Sequence, residues 1–161
     1  MKRNYAHALA IGMGVVAGLR PMTALAILVL SLRRGWIRSG HPPFARIVSA
    51  SASKRIAEFA ICELVVDKLP FTRSRLDAGP LTWRIVSGAI CGAAIHGSGK
   101  RPVVGGTVLG GLGSLVGSVT AYHVRQKLSR DMPDLVVALL EDAVTVGAGA
   151  TIMALESAAI R

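Results

Sequence analysis

Val103 to Val124 reads VVGGTVLGGLGSLVGSVTAYHV, a run without one Asp, Glu, Lys or Arg. As a helix rising 1.5 Å per residue, it is long enough to cross a hydrocarbon core of about 30 Å. Its glycines would be a poor choice in a soluble helix, where each costs about 1 kcal/mol against alanine. In a bilayer they are useful, because helices there associate by close backbone approach rather than by hydrophobic drive. Tyr122-His123-Val124-Arg125 then closes the run in the manner of a membrane interface.

Outward from this segment the rest of the chain has the same character. Apolar residues make up 52% and charged residues 17%, below the roughly 25% of soluble domains, and mean hydropathy is +0.51. Four further segments are predicted helical: Tyr5 to Leu32, Lys54 to Leu69, Leu81 to His96 and Pro133 to Ile160. Polar loops separate them, and a short interfacial helix is expected around Phe44 to Val48. The expected fold is therefore an all-α, polytopic membrane helix bundle with four to five transmembrane helices, formed by residues 1–161 as a single domain. Lys2-Arg3 before an apolar run resembles a secretory signal, but apolar residues resume after Arg20-Pro21, which argues for a retained helix.

The net charge is +10. In a soluble protein that would point to nucleic acid. Here the basic residues lie between apolar runs, without the aromatic interleaving that base stacking needs, so membrane lipid is the expected partner and nucleic acid is not. Threaded through five spans, eight basic residues fall on the N-terminal face and nine on the other, with Arg20 inside the first span and Arg84 at an interface. No positive-inside bias results. Dual topology, a surface-lying second segment and an orientation set by some other feature all fit that balance.

Arg20 is the most informative residue, placed near the middle of the first span in Gly18-Leu-Arg20-Pro-Met-Thr23. A charge there costs at least about 2.5 kcal/mol unless paired or hydrated. Pro21 removes a helical N–H, so the helix is expected to kink or break beside the cation. One reading is an anion or headgroup site; the other is an internal ion pair with an acid of the second or fifth segment. The candidate acids on a solute or ion pathway are Glu58, Glu63 and Asp67 in the second segment and Glu141 and Asp142 in the fifth.

Gly106, Gly110, Gly113 and Gly117 follow small-residue spacings along the fourth segment. They are expected to pack helices closely and to form the seam of a homodimer. Cys62 and Cys91 sit in apolar runs as free thiols, the four histidines are scattered, and no metal site, cofactor motif or catalytic signature is present. Arg20-Pro21 and Arg101-Pro102 are each followed about forty residues later by an acid, Glu63 and Glu141. If the first two and last two segments are copies, the single span between them inverts the second, the inverted repeat of many transporters.

Glu63-Leu-Val-Val-Asp67-Lys68-Leu-Pro70, Arg73-x-Arg75, Arg84-Ile-Val-Ser-Gly88-Ala-Ile-Cys-Gly92-Ala and the Gly18-to-Thr23 step resemble a family of small bacterial integral-membrane proteins defined by a domain of unknown function. The resemblance covers most of the chain. It implies membrane residence in bacteria and no assigned activity; with several spans, the expected location is the bacterial inner membrane as a multi-pass protein. The expected function is transport or permeation of a small polar or anionic solute or a lipid headgroup; the alternative is a non-transporting membrane scaffold or accessory subunit. An enzyme is not expected.

Overall fold

A computed structural model describes residues 3–37, 44, 47–66 and 77–160. The described residues form six helices and no strand: α1 (Arg3–Leu19), α2 (Pro21–Arg33), α3 (Ala50–Val66), α4 (Ala78–Ser98), α5 (Val103–Leu128) and α6 (Asp134–Ile160). α5 and α6 are long and apolar enough to cross a membrane, and α1 and α2 are shorter apolar helices. Only 39% of the most apolar window of α5 and 22% of that of α6 is buried, so both turn most of their apolar surface outward. A core helix of a soluble domain does the reverse.

The first apolar run is not one helix. Val16 of α1 and Ile27 of α2 both reach Gly149 of α6. Eleven residues of unbroken helix would hold them about 16 Å apart along the axis, so the chain doubles back at Arg20. The arginine expected near the middle of a span stands instead at the vertex of a helical hairpin. Around Phe44 to Val48, where an interfacial helix is expected, Val48 N–H donates to the Phe44 carbonyl at 3.2 Å, one helical turn.

Glycines decide how α1, α4 and α5 meet. A methyl group added at Gly110 would strike the Gly88 carbonyl oxygen, one at Gly106 would strike that of Gly92, and one at Gly14 would strike that of Gly110. The α4–α5 pairs run in opposite directions along the chain, so these helices are antiparallel. Gly113 lies on Ile11 and Gly117 on Val15, which makes α1 parallel to α5. The seam expected between two copies is thus filled within one subunit: Gly106 and Gly110 serve α4, while Gly113 and Gly117 serve α1. The outward side of α5 is a row of larger residues, Val104, Val108, Leu112 and Val116, each more than half exposed.

α1 and α4 are antiparallel, so the N-terminal part of α4 lies beside the end of α1. Leu9, Met13 and Val16 of α1, Leu28 of α2, Ile95 of α4 and Met153 of α6 belong to one buried apolar core. The two Arg-Pro steps consequently sit toward opposite ends of the bundle. Each separates the first from the second helix in a run of three.

Candidate functional site

In an uninterrupted helix, Met22 N–H would bond the Gly18 carbonyl and Thr23 N–H that of Leu19. Arg20 is extended (φ −142°, ψ 98°), and among the described residues neither bond is made. Helical bonding resumes on either side, with Arg20 N–H on Val16 O and Ala24 N–H on Arg20 O, each at 3.0 Å. Four backbone groups are thereby opened inside the bundle, where each must find a partner.

Three side chains close them. Glu63 of α3 places one carboxylate oxygen, Oε2, at 3.2 Å from both Met22 N and Thr23 N, and at 3.4 Å from Thr23 Oγ1. Arg84 of α4 donates from Nη1 to the Gly18 carbonyl at 2.6 Å and the Leu19 carbonyl at 2.9 Å. Ser118 of α5 adds a donor to Gly18 O at 3.1 Å. The signs are those the helix dipole favours, an anion at the N-terminus of α2 and a cation at the C-terminus of α1.

Arg20 has no side-chain exposure, and its Nε lies 2.5 Å from Oδ1 of Asp142 on α6. An ionised arginine cannot be kept in such a place without a partner. The fifth segment supplies it, as one of the two readings of Arg20 requires. Glu141 points elsewhere, with Oε2 3.9 Å from Nη1 of Arg125 at the end of α5. Adjacent residues on a helix diverge by about 100°, which separates these two acids.

The other expected site residues fare differently. Glu58 is more than half exposed and lies 3.9 Å from Lys54, so it is a solvated member of an i,i+4 pair and not part of the vertex. Its position about 140° from Glu63 around α3 is the reason. Asp67 lies outside the described residues. Arg84, expected as an interface anchor beside Trp83, is only 6% exposed and faces inward. Its position in the first turn of a predicted helix hid this, because only tertiary contact shows that α4 lies against the broken end of α1.

A second constellation also escaped the sequence reading. His7 Nδ1 and His96 Nε2 are 3.1 Å apart, and His96 Nδ1 donates to the Pro102 carbonyl at 3.2 Å. Ser98 Oγ lies 2.7 Å from Oε1 of Glu156. These residues gather at the second Arg-Pro step, so α6 sends one acid to each vertex: Asp142 to the first and Glu156 to the second. No group of His, Cys, Asp and Glu among the described residues has the arrangement of a metal site.

The class is then plain: an all-helical protein with two long apolar helices and a buried, charge-closed break between two shorter ones. The chain belongs to the family described as a domain of unknown function, DUF4126, whose model matches residues 7–159. No curated protein and no solved structure matches it.

Proposed function

We propose that this is a multi-pass protein of the bacterial inner membrane that carries a polar or anionic solute, or a lipid headgroup, past the first Arg-Pro vertex. The observation behind the reading is the Glu63 carboxylate seated on the opened N-terminus of α2. Half-helix N-termini inside a bilayer are anion seats in transporters, because unbonded N–H groups and the dipole both attract negative charge. Here the seat holds the protein's own carboxylate, with the guanidinium of Arg84 on the facing helix end. An incoming carboxylate or phosphate-type anion offers the same chemistry and competes for the same donors. Membrane residence is supported by the outward apolar faces of α5 and α6, which would meet lipid. A homodimer within this reading must use those outward rows, since the glycine faces are occupied.

The scaffold reading is favoured by one specific observation: Arg20 is matched by Asp142, and Arg84 and Glu63 are matched by backbone, all within one chain. Such a closed network holds a bundle together without passing anything. Reconstitution into liposomes separates the two. Release of entrapped acetate or inorganic phosphate should exceed that of protein-free liposomes. Glu63→Gln, which weakens the competing carboxylate, should raise the rate several-fold, and the Arg20→Leu/Asp142→Leu double variant should abolish it. Release equal to protein-free liposomes for both anions, in wild type and Glu63→Gln alike, would leave the scaffold reading.

A further inference from the structure

The second vertex carries a hydrogen-bond count that does not close with an ionised carboxylate. Ser98 Oγ stands 2.7 Å from the Ile95 carbonyl oxygen and 2.7 Å from Glu156 Oε1. Both are hydrogen-bonding distances between oxygens. A serine hydroxyl has one proton to donate, and neither a backbone carbonyl nor a carboxylate has any. One proton shared between two acceptors makes two weakened bonds, so two full hydrogen bonds at this distance need two protons, and Ser98 supplies only one. The count closes when Glu156 carries the second: Oε1–H donates to Ser98 Oγ, while Ser98 O–H donates to Ile95 O.

Burial of the second carboxyl oxygen points the same way. Glu156 has no exposure, and its Oε2 is buried without a hydrogen-bond partner among the described residues. An unpaired oxygen of a neutral acid costs far less to bury than an unpaired oxygen of a carboxylate. The charged or chargeable groups facing Glu156 are Arg101 of the α4–α5 link, His96 of α4 and the chain's amino terminus, with His7 of α1 held against His96; burial of the carboxyl opposes their pull toward the anion.

The geometry points to Glu156 as a proton-binding site: a protonated carboxylic acid at neutral pH, its O–H bond directed to Ser98 Oγ between α4 and α6. Loss of that proton to water leaves one hydroxyl proton for two acceptors and a buried anion facing Arg101 and His96. The α4–α6 contact at this vertex then differs between the two protonation states. Asp142 lies fourteen residues away on the same helix, about 21 Å along its axis, at the other vertex. The site stands whether or not an anion passes the first vertex, and its test reads Glu156 directly.

Infrared spectra of the full-length protein in lipid nanodiscs, recorded from neutral to alkaline pH, provide that test. A carbonyl band of a protonated carboxylic acid should be present at neutral pH and fade as the pH rises. It should be lost in Glu156→Gln, whose amide keeps a donor toward Ser98, and retained in Glu63→Gln and Glu141→Gln. Where Glu156→Gln does not fold, Ser98→Ala serves: the band should shift to higher frequency, because the acid loses its acceptor. The absence of any such band at neutral pH overturns the proposal. So does a band that survives Glu156→Gln, or one whose position is unmoved by Ser98→Ala.

Discussion

At Arg20-Pro21 a single residue separates two helices, whereas at Arg101-Pro102 the pair Gly99-Lys100 is interposed after α4. That difference decides who closes the corner. In the second corner the backbone closes itself: Lys100 is left-handed (φ 54°), Arg101 N–H bonds the His96 carbonyl at 3.0 Å, and Lys100 N–H bonds that of Gly97 at 3.3 Å. This is the Schellman arrangement, with lysine where glycine is usual. In the first corner there is no spare residue to carry such bonds. The opened groups are taken up by Glu63, Arg84 and Ser118 from three other helices. One dipeptide thus gives a local corner and a corner that exists only when the bundle is assembled.

The largest expected effect comes from breaking the ion pair at the assembled corner. Asp142→Ala removes the carboxylate that meets the buried Arg20 guanidinium and should destabilise the protein by about 3–5 kcal/mol. The Arg20→Leu/Asp142→Leu double variant should recover most of this, as measured by unfolding in detergent. A double variant as unstable as Asp142→Ala would show that the pair is not what matters.

Next comes a direct contrast of the corners. Arg84→Leu removes the donor to the two carbonyls at the broken end of α1 and should cost about 2–3 kcal/mol. Arg101→Leu, at the corner whose backbone closes itself, should cost less than Arg84→Leu. Equal losses would erase the distinction between the two corners.

The smallest effect has the opposite sign. Lys100→Gly removes the strain of a left-handed lysine and should leave the protein about 0.5–1 kcal/mol more stable, read from the same unfolding curves. A loss of stability would mean that the Lys100 side chain makes a contact worth more than the strain.

Several of these features could be read before any coordinates. Pro21 beside a charge in an apolar run signalled the break, and the expected need of Arg20 for an acid is met by Asp142. The small-residue spacing of α5 signalled close packing correctly, but the seam expected with a second copy is occupied by α1 and α4, since a glycine face serves a neighbouring helix and a second copy equally well. Arg84 and Glu156 were passed over because nothing in their local sequence separates a solvated charge from a buried one. His7 and His96 are 89 positions apart, and no periodicity links them.

What the sequence determined by itself is the helical, apolar, glycine-rich nature of the chain, because these follow from residue type and spacing within a few turns. It also determined where helical bonding must fail, because proline has no N–H wherever it is placed. The tertiary structure decided that α1 and α2 double back, that the glycines of α5 are spent within one subunit, and which charges meet at each vertex. Those outcomes depend on which faces of distant helices come together. A buried charge or an open carbonyl has no preference in sequence, only a requirement for a partner, and the assembled bundle alone determines which partner is in reach.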